Sequence, residues 1–187
     1  MAFVVLTAPD AGATIMLKME LPQLVGRSDV IFVGQVVKTH SRWSEDGRHI
    51  VTDTTLQVTQ GIRGVKAGTV TVRRLGGTVG TIGMRVSGMP ELRHGDQVVL
   101  FTERRGNGHR YVVGMKQGVF RVVQDGDGQK RVRGGVEGLT LAHRTSTGQL
   151  QMLPDPTTPP ELLGQFVNRI RQTITLCTKE TTWCSSR

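Results

Sequence analysis

The sequence predicts an all-β fold: a small OB-like or related barrel or sandwich, with a short N-terminal helix and one C-terminal amphipathic helix. Roughly eight short β-type segments recur about every ten residues, and glycine-rich turns separate them. The alternation of strands and helices that builds a parallel sheet is missing. With 187 residues, 37% of them hydrophobic, the chain has apolar material for a single core.

Residues 1–16 have two interpretations: the end of an export signal, or a loose N-terminus. Residues 2–8 form an apolar run, and Ala11-Gly12-Ala13 has the small-x-small form of a signal-peptidase site. No basic residue precedes Lys18, however, and Pro9-Asp10 interrupts the apolar run. We favour export to the periplasm or the exterior over a cytoplasmic location.

Residues 17–153 are predicted to form the β-domain, which opens with a short helix inside residues 18–28. Pro22 fits the first turn of that helix. Residues 30–37 are almost continuously apolar and rich in β-branched side chains, which predicts a central strand buried on both faces. Residues 49–60 alternate between apolar or small and polar side chains, which predicts a long half-buried strand joined to the first through an Asp46-Gly47 turn.

Further strands are predicted over residues 69–73, 84–87, 98–103, 110–113, 119–123 and 130–133. Gly106-Asn107-Gly108 and the Asp-Gly-Asp-Gly run at 125–128 are typical of tight hairpin turns. The glycine-rich residues 76–83 are predicted to be a mobile or bulged connection. No helix follows them, so they are not a phosphate-binding loop.

Residues 154–187 are predicted to form a proline-rich spacer, a helix and a cysteine-containing tail. Thr158-Pro159-Pro160-Glu161 has the form of a capping box, which predicts a helix starting at Pro159. An apolar stripe follows at Leu162, Leu163, Phe166, Val167, Ile170 and Ile174. We expect this stripe to pack on the β-domain, and docking on a partner is the alternative. Cys177 and Cys184 are predicted to form a disulfide, the alternative being two separate thiols.

The chain is basic, with 24 Lys and Arg against 15 Asp and Glu, a formal net charge of +9. Residues 104–144 hold nine of the bases and only three acids. The candidate ligand-binding face comprises Arg104, Arg105, Arg110, Tyr111, Arg121, Lys130, Arg131 and Arg133. A solvated face is the favoured interpretation of this stretch, and binding of phosphates or of another anionic surface or polymer is the alternative. Stacking on nucleobases requires exposed aromatic rings, and only Tyr111 and Phe120 qualify near this face, since Phe101 lies in an apolar strand.

No catalytic constellation is recognisable in the sequence, and we predict no cofactor and no metal. Asp53 lies in IVTDTTLQV, where Thr55 replaces the glycine of an aspartic-protease loop. The run at 125–129 lacks the closing acidic residue of a calcium loop. The five histidines have no metal-ligand spacing, and the GxSxG, P-loop and GxGxxG motifs are missing.

Several segments carry a family resemblance: LPQLVGRSDVIFVGQVV, GGTVGTIGMRVSGMPELRHGDQVVLF and YVVGMKQGVFRVV. Together they resemble an uncharacterised family of small exported bacterial all-β domains, over residues 21–123. More distantly, the helix-then-strand opening is similar to the netrin-like OB barrels of metalloprotease inhibitors. Those inhibitors act through an N-terminal cysteine, which has no counterpart before Cys177. The resemblance implies an exported β-barrel and supplies no catalytic residue.

The favoured function is a non-enzymatic, exported binding or interaction module that contacts protein or envelope partners. The first alternative is an oligonucleotide-binding barrel that uses the basic face. The second is a hydrolase whose residues, Asp53 or His94 among them, converge only in three dimensions. No apolar run in the sequence approaches the ~20 residues of a membrane helix. The sequence does not predict an oligomeric state.

Overall fold

The chain is built mainly from β-strands, as predicted, in a computed structural model that describes residues 15–153 and 159–179. The helices are α1 (Leu21–Arg27) and α2 (Leu163–Lys179), and Met115–Gly118 form a 3-10 turn. The strands are β1 (Ile15–Leu17), β2 (Val30–Trp43), β3 (Ile50–Arg63), β4 (Thr69–Leu75), β5 (Gly77–Val79), β6 (Ile82–Met84), β7 (Gln97–Arg104), β8 (Arg110–Val112), β9 (Val119–Gln124), β10 (Lys130–Gly134), β11 (Thr140–Arg144), β12 (Leu150–Met152) and β13 (Glu161–Leu162).

The main sheet has the order β13-β10-β9-β7-β2-β3-β4, and β8 also pairs with β7. A second sheet has the order β1-β11-β12, with β1 parallel to β11, and β5 and β6 form a separate hairpin. β4 curls back to lie beside β8, with Cα atoms within 8 Å, but no strand ladder joins the two among the described residues. Of the two predicted architectures, the structure has the open, sandwich-like one and not a closed barrel.

The central strand predicted from residues 30–37 is confirmed for the first part of β2, where residues 30–34 are buried on both faces. One face contributes Phe32 to a cluster with residues of β3, β4 and β7. The other contributes Ile31 to a cluster with residues of α1 and α2. β7 runs antiparallel to β2, and its Leu100 and Phe101 divide between the same two clusters. The core is therefore two apolar layers on either side of β2 and β7.

The predicted alternation in the second long strand is also confirmed. Thr52, Thr54 and Leu56 of β3 are buried, whereas Asp53 and Thr55 are partly exposed. The hairpin that joins β2 to β3 turns through Gly47, whose φ of 69° lies in the left-handed region. This alternation places the Asp53 carboxylate on the face opposite the buried threonines.

The predicted start of the C-terminal helix is wrong. Glu161 and Leu162 pair with Val132 and Arg131 of β10 as strand β13, so α2 begins at Leu163 instead of Pro159. Pairing with an available sheet edge satisfies the backbone groups that a capping box would otherwise satisfy. The predicted packing of the stripe on the β-domain is confirmed: Phe166, Val167 and Ile170 are buried in the cluster that also holds α1 side chains.

Several further segments differ from the sequence-based expectation. Residues 76–83 contain the β5–β6 hairpin, which replaces the predicted irregular connection. The strand predicted over residues 84–87 ends at Met84, where its pairing with Gly77 ends. β11 and β12 were not predicted, and β1 starts at Ile15, two residues before the predicted domain boundary. β1 and β12 are only three residues long, too short for periodicity to reveal.

The predicted disulfide stays a prediction, because Cys177 lies in α2 and Cys184 falls outside the described residues. The same holds for the predicted export signal, most of which precedes residue 15. Neither described helix combines the length and the hydropathy that a membrane span requires.

Candidate functional site

The structure separates the predicted basic face into two groups at opposite ends of β7. Val112 of β8 pairs with Thr102, whereas Arg121 of β9 pairs with Val98, on the same edge of β7. Val98 and Thr102 are four residues apart on β7, which at about 3.3 Å per residue separates the two groups by at least roughly 13 Å along the strand. The first group is Arg104, Arg105, Arg110 and Tyr111, and the second is Arg121, Lys130, Arg131 and Arg133.

Carboxylates pair with most of the second group. The Nη1 atom of Arg121 lies 2.6 Å from Oδ2 of Asp96, and Nε of Arg131 lies 2.6 Å from Oδ2 of Asp125. The hydrogen bond from Arg131 lowers the pKa of Asp125. Arg133 has Glu137 at 3.8 Å. Much of the positive charge at the β9–β10 hairpin is therefore balanced locally.

The two aromatic candidates do not form a stacking platform. Phe120 packs against Phe101 and Phe166, with ring centroids 5.6 and 4.5 Å apart, so its ring is partly buried against the core. The guanidinium of Arg105 lies 4.7 Å from the centre of the Tyr111 ring, and the Tyr111 hydroxyl accepts a hydrogen bond from Asn107. The Tyr111 ring is already engaged on one face within the molecule.

A polar cleft of about 410 Å³ lies where β4 faces the β7–β8 hairpin. Its wall on the β3–β4 side includes Asp53 and Arg73, and its wall on the hairpin side includes Arg104, His109 and Arg110. We call this the β4–β8 cleft. It brings two residues of the predicted face, Arg104 and Arg110, together with charged residues that the sequence did not single out.

Arg73 is the fixed element of the cleft, and its side chain is only 7% exposed. It binds Asp53 in bidentate fashion, with Nε 2.7 Å from Oδ1 and Nη2 2.9 Å from Oδ2. This hydrogen bonding lowers the pKa of Asp53 and raises that of Arg73. A bidentate pair of this kind holds the guanidinium in one orientation.

The remaining Nη1 of Arg73 points at Glu45, a residue of the β2–β3 turn. The Oε1 atom of Glu45 lies 3.4 Å from that nitrogen, 3.1 Å from Nη2 of Arg42 and 3.9 Å from Nε2 of His109. The Glu45 side chain itself is 68% exposed. A hydrogen bond from its own backbone N–H, and secondly the hydrogen bond from the Arg42 side chain, lower the pKa of Glu45 to about 2. Three nitrogen-bearing side chains from separate segments thus converge on one carboxylate oxygen.

Of the two arginines on the hairpin side of the cleft, Arg110 is paired with a carboxylate, and the Arg104 guanidinium is not paired with one among the described residues. Arg110 forms an ion pair with Asp29 and donates to the Thr102 hydroxyl at 3.1 Å. Burial raises the pKa of Asp29, but the hydrogen bond and charge of Arg110 more than offset this and lower it. The Arg104 side chain donates to the Gly108 carbonyl at 3.3 Å, and its backbone N–H donates to Oδ2 of Asp29 at 3.2 Å. In the described part of the chain, no carboxylate lies within 4.0 Å of its guanidinium. Its guanidinium is exposed and available to a ligand.

Sequence reasoning missed Arg42, Glu45 and Arg73 and considered Asp53 only as a candidate catalytic residue of a protease or another hydrolase. The available signal was the alternation in β3, which places Asp53 on the exposed face. The pairing of Asp53 with Arg73 depends on the register between β3 and β4, and a local sequence pattern does not predict that register. The bond to Arg73 also agrees with the rejection of Asp53 as an aspartic-protease centre.

No protein-family model matches the sequence, and no curated protein matches it either. Within residues 15–153 and 159–179, no three His, Cys, Asp or Glu side chains come together as metal ligands would.

Proposed function

We propose that this protein is an exported, non-enzymatic binding module that recognises an acidic segment of a protein partner at the β4–β8 cleft. The observation that carries the proposal is the placement of Glu45. An exposed carboxylate on a hairpin turn already lies where Arg42, Arg73 and His109 converge. A carboxylate from a partner has the same chemistry as this intramolecular one.

The cleft is preorganised for such a ligand. Asp53 fixes Arg73 in position, so binding does not require ordering of that side chain. Charge-assisted hydrogen bonds between arginine and carboxylate are about twice as strong as neutral ones. Arg104 adds a guanidinium with no carboxylate partner nearby among the described residues. A ligand with two or more carboxylates can engage Arg104 and also compete with Glu45.

An acidic protein segment fits these observations better than single-stranded nucleic acid. Nucleic-acid binders align free cations along a groove and stack bases on exposed rings. Here the second basic group is largely paired with acids, and the Phe120 ring packs against Phe101 and Phe166. The Arg104 guanidinium, which has no carboxylate partner among the described residues, lies at the cleft instead.

The test measures binding of a fluorescent hexaglutamate peptide by anisotropy at low ionic strength. We expect saturable binding, an approximately tenfold loss with Arg104→Gln, and a several-fold gain with Glu45→Gln, which removes the internal competitor. The matched control is Arg144→Gln. Like Arg104, Arg144 is exposed and donates from Nη1 to a glycine carbonyl four residues later, but it lies on β11.

The proposal fails if Arg144→Gln weakens binding as much as Arg104→Gln, because the effect would then reflect total charge. It also fails if a hexaglutamine peptide binds equally well. Tighter binding of oligothymidylate than of hexaglutamate would favour the nucleic-acid alternative instead.

A further inference from the structure

A second cavity, of about 330 Å³, lies between the two helices and the β9–β10 hairpin. We call it the α1–α2 pocket. Its walls are largely apolar, and they include Met19, Leu21, Leu24, Phe120, Val132, Val136, Leu141 and Phe166. A volume above 300 Å³ lies in the range of small-molecule sites.

The polar groups that line the α1–α2 pocket are already satisfied. The Gln117 amide accepts from the backbone N–H of Met19 at 2.7 Å and donates to the Leu17 carbonyl at 3.0 Å. Lys18 pairs with Glu20 at 2.7 Å. Arg169 pairs with Glu161 at 2.8 Å, and its guanidinium lies 5.2 Å from the centre of the Phe166 ring.

These pairs determine which ligand is complementary to the pocket. Two cations and two anions leave its charged residues with no net charge, and the buried Gln117 amide has both of its atoms occupied. A charged ligand would lose its hydration without gaining a free partner. An uncharged apolar ligand gains from burial against the partly buried side chains of Phe120, Met19 and Leu21.

A glycine keeps part of this space open. Gly134 of β10 lies opposite Phe120 in the β9–β10 ladder. A Cβ atom added there would lie 3.8 Å from the Phe120 ring and 4.0 Å from Val136, with no backbone atom within 4 Å. A side chain at position 134 would therefore project toward the pocket wall without a steric clash at Cβ.

We infer that the α1–α2 pocket is a binding site for a small uncharged aromatic or aliphatic molecule. This inference does not rest on the proposed function, because the pocket shares no lining residue with the β4–β8 cleft. The Met19 thioether at its wall is flexible and adapts to ligands of different shape.

The experiment is a fluorescence titration of the full chain with N-phenyl-1-naphthylamine, a neutral probe, and with its anionic relative 1-anilinonaphthalene-8-sulfonate. We expect saturable binding of the neutral probe and at least tenfold weaker binding of the anion. Gly134→Leu is expected to weaken binding of the neutral probe at least tenfold by filling the pocket. Gly126→Leu is the matched control, since Gly126 lies in the same hairpin with nothing within 4 Å of an added Cβ.

A second filling variant, Val136→Phe, keeps the test decisive if Gly134→Leu does not fold, as judged by circular dichroism. The inference is overturned if the folded protein gives no saturable signal with the neutral probe, or if the anion binds more tightly. It is also overturned if the folded filling variants bind the probe as well as Gly126→Leu does.

Discussion

Arg73 and Asp53 show how much a single contact determines in this protein. The guanidinium is buried, and its charge is tolerated because Asp53 binds it through two oxygens. The same contact directs the third nitrogen of Arg73 toward Glu45. The stability of this region and the orientation of the Arg73 guanidinium therefore depend on one ion pair.

Acid is expected to destabilise the protein through these carboxylates. The pKa of Asp53 is lowered by the Arg73 hydrogen bond, and that of Glu45 is lowered to about 2, so the folded state binds fewer protons than the unfolded chain. Their stabilising contribution is complete above the unfolded values of 3.8 and 4.5 and is lost as the pH falls toward 2. Urea unfolding between pH 6 and pH 2 measures the slope.

Asp53→Asn is the matching variant for this prediction. We expect it to be less stable at pH 6 by roughly 2 kcal/mol, because it leaves Arg73 without its main partner, and to show a shallower pH dependence. Asp127→Asn, in an exposed turn, serves as the control. An unchanged slope in Asp53→Asn would contradict the assignment of the pH effect to this pair.

In the β5–β6 hairpin, Gly77 is the position where an added side chain would clash most severely. Its φ is 144°, and an added Cβ would lie 2.3 Å from the Thr52 hydroxyl and 2.5 Å from that of Ser41. Those two hydroxyls hydrogen-bond to each other, and Thr52 also donates to the Gly76 carbonyl. Close approach of this backbone therefore holds the hairpin against β2 and β3.

Gly77→Ala is expected to lower the free energy of unfolding by about 2 kcal/mol or more, since it combines a strained backbone with a clash. In the same hairpin, Gly83→Ala meets only Thr78 Oγ1, at 3.9 Å, and is expected to change stability by less than about 0.5 kcal/mol. Chemical denaturation of both variants checks this. Equal effects would show that the Gly77 contact is not required.

At the level of elements, α2 supplies a large part of one core layer. Phe166 is 1% exposed and contacts the Phe101 and Phe120 rings, so the helix is joined to β7 and β9 through aromatic packing. Val167 and Ile170 extend the contact toward α1. The helix therefore belongs to the fold itself and is not an appendage available for docking on a partner.

Phe166→Ala is expected to lower the free energy of unfolding by about 3 to 5 kcal/mol, the usual range for removing a buried aromatic ring. Leu176, on the same helix, is 63% exposed, and Leu176→Ala is expected to have an effect below about 0.5 kcal/mol. Urea denaturation followed by circular dichroism distinguishes the two. A small loss with Phe166→Ala would mean that α2 packs only loosely.

Prediction of the elements succeeded where a local pattern was long enough. The apolar run of β2, the alternation in β3 and the stripe of α2 each span enough residues to show a period. Prediction failed for β13 and the start of α2, because Glu161 and Leu162 became a strand by pairing with β10. A capping box describes only a local preference, and an available sheet edge overrode it.

At the level of the whole molecule, the two basic groups lie at opposite ends of β7. β8 and β9 pair with opposite ends of the same edge of β7, so the charges that are close in sequence become separated in space. Conversely, Glu45 and Arg73 are 28 residues apart and lie together. Because paired acids balance many of the bases, the net charge of +9 overstates the cationic potential at any one place.

Export, signal cleavage and the disulfide are predicted together for the natively produced protein. We expect the natively produced protein to be found outside the cytoplasm, cleaved near Ala13, and lighter by the mass of two hydrogen atoms because Cys177 and Cys184 are joined. Intact mass spectrometry of fractionated cells, with and without reduction, measures all three properties. A cytoplasmic protein with an uncleaved N-terminus and no mass change on reduction would contradict the prediction.

The sequence by itself determined the all-β class, the buried central strand, the half-buried β3 and the apolar face of α2. These properties depend on side-chain periodicity and turn chemistry within a few neighbouring residues. Only the tertiary structure decided that the sheet stays open, that Asp53 holds Arg73, that Glu45 reaches the cleft and that Gly134 faces Phe120. Each of those depends on the register between strands distant in sequence, which is set by the packing of the whole chain.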